Sequence, residues 1–204
     1  MGSNTSTSDW IQDCEIKSLL VRERYYRDTA QWQKLRESYH PDASKTSINI
    51  TWFKGGIDGF VSGSKQMTTG GTPSTHNILP VEIHRQGDKA VSESTGSIMA
   101  RVKYNNVDYD LISYAKFISR LERVDGVWKM LSLEAIYERD TLQPVYPGTG
   151  ERIVAIEEHG RASYRCLSWL LLQKGFTVDQ ELPGSDIKGS TEKLLNDCFA
   201  WLRT

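Results

Sequence analysis

The sequence predicts an α+β fold in which a curved β-sheet wraps around N-terminal helices and two further helices close the chain. Three observations carry this. Residues 9–39 have helical patterning and are rich in aromatics. Four strand patterns, residues 75–85, 90–104, 108–123 and 127–137, then follow one another with only tight turns between them, as in an antiparallel meander. Beyond Tyr146-Pro147-Gly148-Thr149-Gly150 the pattern returns to helix. Strands this long, placed after the helices, must curl around them and leave an apolar cavity open at one end. The expected organisation is a polar disordered tail (1–8), a domain (9–148) and a helical extension packed on it (149–204).

The first helix is expected over 9–28, capped by Ser8 or Asp9. Ile11, Cys14, Ser18, Val21, Tyr25 and Asp28 recur at steps of three and four, and Trp32 continues the stripe as a core residue. An aspartate on such a stripe is unusual, because burial of an unpaired carboxylate is costly. Asp28 has two readings: with Gln31 it resembles a capping box for a second helix over 29–39, or it serves a pocket. His40-Pro41 ends that helix. A strand is expected at 47–53, a helix over 57–67 after Gly55-Gly56, and a small-residue loop at 69–75. In the strand 75–85, alternation puts His76, Ile78, Pro80, Glu82 and His84 on one face. Gly96 is expected to form a bulge that bends the next strand. The tail helices are expected over 161–174, ending at Gly175, and over 191–203, capped by Ser190.

Composition excludes several classes. The 204-residue chain has a net charge of −1 and no basic run, so it lacks the electrostatic footprint of a nucleic-acid binder. No apolar stretch approaches the roughly 18 residues of a membrane span. Cys14, Cys166 and Cys198 are odd in number and far apart, which suits reduced, buried thiols and a cytoplasmic setting. Gly2 and Ser6 fit an acylation pattern, and two sequons begin at Asn4 and Asn49; such short patterns match by chance. The four histidines, His40, His76, His84 and His159, show no metal-ligand spacing, and no phosphate-binding glycine loop or nucleophile elbow occurs. Neither a metal nor a cofactor is expected. Arg101, Lys103, Arg120, Glu122 and Arg123 read as solvated strand faces, and Glu138-Arg139-Asp140 as a local salt-bridge cluster.

Arg27-Asp28-Thr29-Ala30-Gln31-Trp32 followed by Tyr39-His40-Pro41-Asp42-Ala43 resembles the opening of SnoaL-like proteins of the nuclear-transport-factor-two-like superfamily. Ser74-Thr75-His76 at a strand start and Arg120-Leu121-Glu122-Arg123-Val124-Asp125-Gly126-Val127-Trp128 are similar to the middle and end of that domain. Residues 178–184 and 199–203 resemble the C-terminal extension of one branch. The resemblance implies a cone: a curved mixed sheet around the helices with a pocket at its open end, a sheet face that dimerises, and catalysis without metal or organic cofactor. It implies a pocket histidine, best matched by His76, with Asp28 and Tyr25 or Tyr26 from the first helix. The superfamily hosts dehydratases, isomerases, cyclases and non-catalytic modules, so the fold alone does not give the reaction.

The chemistry follows from those residue types. Proton removal next to a carbonyl needs a base and an acid near neutral pH, which a histidine can be in turn. A tyrosine can donate to a developing oxyanion, and an aspartate can fix the imidazole tautomer. The expected catalytic set is His76, Asp28 and Tyr26, with Tyr25 and Trp52 touching the substrate. The expected function is a cofactor-independent dehydratase, isomerase or cyclase acting on a small hydrophobic oxygenated molecule, such as a polyketide, terpenoid or steroid-like compound of secondary metabolism, and working as a homodimer. The rival is a binding or assembly module in which His76 is structural. A cavity with His76 on its wall discriminates between them.

Overall fold

The computed structural model describes residues 7–69, 74–151, 153–157 and 160–204. Gly2, Asn4, Ser6, His159 and most of the 69–75 loop lie outside them. Helix α1 (Thr7–Asp28) begins inside the expected tail. It stops because Ala30 takes a left-handed backbone (φ 57°). Helix α2 (Trp32–Glu37) is shorter than expected, and its N-cap Gln31 makes no side-chain cap bond. The capping-box reading of Asp28 is therefore wrong: that carboxylate is used elsewhere. Trp32 is half-buried and packs against the core.

The sheet has seven strands. These are β1 (Ser47–Ile50), β2 (Phe53–Gly55), β3 (Ser74–Gln86), β4 (Lys89–Tyr104), β5 (Val107–Val124), β6 (Val127–Met130) and β7 (Ser132–Pro144). Their order is β2-β1-β7-β5-β4-β3, with β6 on β5. The β1–β7 pair is parallel and the others antiparallel, so the sheet is mixed. The expected strand 127–137 breaks at Leu131, which bonds Arg120 and releases β7 toward β1. The expected strand 47–53 turns at Thr51-Trp52 before β2. Helix α3 (Ile57–Thr69) follows.

The bulge expected at Gly96 is at Val81 instead. Gly96 pairs in register with Ile78, and an added Cβ would stand 2.3 Å from the Asn77 carbonyl oxygen; it is glycine because two backbones approach closely there. The register shift between Pro80 and Glu82 leaves Val81 unpaired and reverses the inward face. Ser74, His76, Ile78 and Pro80 face in, then Ile83 and Arg85, so His84 does not share the His76 face. Arg85 meets Asp9 and Asp13 of α1, whereas His84 stacks on Phe199 of the last helix.

The charge and burial of α1 reverse the sequence reading. Ile11, Cys14, Val21 and Tyr25 are exposed, and the buried side carries Ile16, Leu20, Glu23, Arg24 and Arg27. Cys14 is thus not a buried thiol. The chain's last quarter covers both faces of the sheet. Helix α4 (Arg165–Gln173) packs inside, joining the main core with Leu167, Trp169, Leu170 and Leu171. Helix α5 (Ser190–Leu202) lays Leu194, Cys198 and Leu202 on Val91, Ile118 and Ile136 of the outer face. Ser190 is the first residue of α5, not its cap, and bonds the Gly184 and Ile187 carbonyls. Nor do residues 138–140 pair with one another: Glu138 meets Lys116, Arg139 lies over Tyr114, and Asp140 accepts the Leu167 backbone N–H. No helix among the described residues is long and apolar enough to cross a membrane.

Candidate active site

The site forms where the C-terminal end of α1 meets the start of β3. Asp28 Oδ2 accepts the backbone N–H of His76 at 2.6 Å, and Oδ1 lies 2.7 Å from His76 Nδ1. Both oxygens of one carboxylate therefore hold one histidine, by backbone and by ring. Nδ1 is committed to Asp28, which leaves Nε2 as the ring nitrogen without a partner among the described residues. The side chains of His76 and Asp28 are only 8% and 11% exposed.

Burial pushes Asp28 up, but the hydrogen bonds and charge of His76, with Arg27, outweigh it and hold the carboxyl below its ordinary value. Burial likewise disfavours the imidazolium of His76. Asp28 opposes this, Arg27 and Arg24 reinforce it, and the net shift is downward. At neutral pH the pair is thus a carboxylate beside a neutral imidazole, with the proton on Nδ1 and the lone pair on Nε2. A general base needs that state.

His76 lines a cavity of about 60 Å³. The floor is sheet: Ile50, Ile98, Ala100, Phe117 and Tyr137. Helix α4 supplies the opposite wall with Leu167, Leu170 and Leu171, and Lys174 sits just past its end. Trp52 also lines the cavity and is fixed by Phe53, Phe60 and Phe176, each with ring centroids 5.7 Å away. Beneath it, Glu23 holds Arg24 through two charge-assisted bonds and accepts the Tyr39 hydroxyl at 3.0 Å.

Of the five residues expected at the site, the structure brings together His76, Asp28 and Trp52. Tyr25 is 58% exposed on the far side of α1. Tyr26 faces a separate open groove between α1, α2 and β6, with the Lys34 ammonium 5.5 Å from its ring. Neither tyrosine reaches the cavity. Sequence reasoning missed Arg24, Arg27, Tyr137 and the α4 leucines. The signal for the arginines was present: Ile16, Leu20, Glu23 and Arg27 recur at helical spacing, but a charged inner stripe does not read as one. Among the described residues, no three His, Cys, Asp or Glu side chains cluster as a metal site requires.

An open curved sheet folded over one long helix, with a buried Asp–His pair beside an apolar cavity, defines a nuclear-transport-factor-two-like cone. Residues 12–134 match the family described as a SnoaL-like domain, and the chain belongs to that family. Among curated proteins it is 28% identical over 184 residues to an uncharacterised protein of Emericella nidulans, covering 85% of this chain and 76% of that one. It is 25% identical to pea pathogenicity protein 2 of Fusarium vanettenii, covering 78% and 69%. Among solved structures, a putative scytalone dehydratase from Novosphingobium aromaticivorans superposes with a TM-score of 0.56 at 17% identity, over 70% of this chain and 97% of that one. A type 2 hexachlorocyclohexane dehydrochlorinase gives 0.56 at 15%, over 71% and 95%. At these identities the structural likeness concerns the fold.

Proposed function

We propose that this protein is a cofactor-independent lyase or isomerase in which His76 is the general base and Asp28 orients it. The observation that carries this reading is the Asp28–His76 pair, held by two hydrogen bonds, on the wall of a mostly apolar cavity. His76 Nε2 takes a proton from the carbon next to a carbonyl, and the electron pair moves to the carbonyl oxygen. In a dehydration the enolate then expels a β-hydroxyl, which leaves as water with the proton returned by His76. In an isomerisation the same proton returns to a different carbon. The imidazolium formed between these steps is stabilised by the Asp28 carboxylate.

The cavity volume bears on substrate size. About 60 Å³ holds a few heavy atoms, whereas pockets for drug-sized ligands run to roughly 300–1,000 Å³. A polyketide, terpenoid or steroid-like molecule therefore exceeds the cavity as it stands, and a small hydroxycarbonyl compound is closer to its size. That small volume is also the observation favouring the rival reading of a packing module. Exchange of the α-protons of 4-hydroxybutan-2-one and of its carboxylate analogue 4-hydroxy-2-oxobutanoate (the C3 protons) in D2O, followed by proton NMR, tests both, catalysed exchange of either compound counting for the parent. The parent should catalyse exchange, and His76→Ala should lower it by about 10²–10⁴-fold without loss of fold. No catalysed exchange by the parent, or normal exchange by a folded His76→Ala, would sink the proposal.

A further inference from the structure

The cavity is apolar in area but one-sided in charge. Arg24, Arg27 and Lys174 line it, and among the described residues no carboxylate does. Glu23 and Asp28 stand behind the wall, one spent on Arg24 and Tyr39, the other on His76. Arg24 is therefore neutralised where it stands. Arg27 is not. It is 6% exposed, yet its partners are poor for a guanidinium. Nη1 donates to Ser74 Oγ at 2.7 Å and reaches Asp28 Oδ1 only at 3.5 Å; Nη2 has the Met67 thioether at 3.1 Å. A thioether is a weak acceptor. Lys174, at the end of α4, makes no ion pair among the described residues.

From this we infer that the cavity takes a small anionic substrate, a carboxylate whose charged oxygens are held by the Arg27 guanidinium with Lys174 at the rim. The inference rests on His76 being the base, since the anion site gains its meaning from the base beside it. Ser74, which carries the Arg27 bond, and His76 are two residues apart on the inward face of β3, so they stand about 7 Å apart. A carboxylate anchored at Arg27 can thus leave a carbon a few bonds away under His76 Nε2. A guanidinium is suited to this task because its planar fork grips both carboxylate oxygens. Burial and the neighbouring Arg24 charge push the Arg27 pKa down despite Asp28, the condition of a cation that an incoming anion would relieve.

The test uses acetate as the probe and acetamide, its neutral counterpart of like shape, as the control. Saturation-transfer NMR on the ligand methyl reads binding without the reaction. The parent should bind acetate saturably and acetamide at least tenfold more weakly. Arg27→Met should weaken acetate at least tenfold; Arg27→Lys, which keeps the charge but not the fork, should bind with intermediate affinity and covers the case that Arg27→Met unfolds. Lys174→Met should weaken it less, and Arg101→Met, which removes an exposed arginine paired with Asp110, should change nothing. Equal binding of acetate and acetamide, or parent-like acetate binding by Arg27→Lys and by a folded Arg27→Met, overturns the inference. His76→Ala separates the two readings. It should lose proton exchange and keep acetate. If exchange survives in that variant while acetate binding depends on Arg27, the base assignment fails and the anion site stands.

Discussion

Asp28 binds His76 through two atoms of the histidine, and the consequences can be measured. Folded His76 takes its proton at a lower pH than the ordinary histidine value of 6.5, so between those two values the unfolded chain binds more protons. Stability from this group is therefore present above pH 6.5 and falls as the pH is lowered through it. The rate should follow the same proton: flat at neutral pH, then falling with single-proton slope at a pH below 6.5. A rate that rises as the pH falls through this range would contradict a neutral imidazole base. Asp28→Asn removes the charge that raises His76, so the fall should move to still lower pH. An amide can also stabilise the wrong tautomer, and the maximal rate should drop by roughly 10²–10⁴-fold, to be read with a thermal melt. Tyr26→Phe, in contrast, should turn over at the parent rate, because its ring lies in the outer groove against Lys34. His76 and Asp28 could be singled out from the sequence because they are polar residues at the ends of elements. Their direct contact joins residues 48 apart, and no local pattern encodes that.

Helices and strands show the same division. The meander, the turn positions and the two C-terminal helices were legible because period-2 and period-3.6 patterns and turn residues mark them. Faces were not. The outward stripe of α1 is apolar and the inward one carries Glu23, Arg24 and Arg27, so hydrophobic periodicity points the wrong way wherever charge has been moved inside for a site. In β3 the bulge at Val81 reverses the face, and bulges follow from pairing geometry rather than composition. Bulge and proline together also leave β3, the terminal strand of the sheet, a poor template for further strand pairing. Gly96 was recognised as special for the wrong reason. Because its Cβ would enter Asn77 O and press Phe117 and Ile78, Gly96→Ala should destabilise by about 1–3 kcal/mol in a denaturant titration. An unchanged midpoint would mean that the strands separate freely there.

The molecule as a whole depends on its last quarter. Removal of residues 150–204 should strip α4 from the inner face and α5 from Val91, Ile118 and Ile136, and light scattering should then report aggregation. A truncated protein that stays monodisperse with an unchanged melting temperature would count against this. Leu79 and Val81, at 66% and 47% exposure, are not covered by α5. A homodimer formed through that remaining part of the sheet is the expected state, and a monomer in sedimentation equilibrium would refute it.

The cavity walls come from opposite ends of the polypeptide: Arg24 and Arg27 from α1, Leu167, Leu170 and Leu171 from α4. During synthesis the first wall and the whole sheet leave the ribosome before the second wall exists. Contacts this distant in sequence close late, after the meander has formed from neighbours in the chain. The protein should therefore acquire its backbone order before its chemistry. In a refolding experiment, far-ultraviolet circular dichroism should recover ahead of proton exchange, with an interval in which a folded sheet carries an unfinished catalyst.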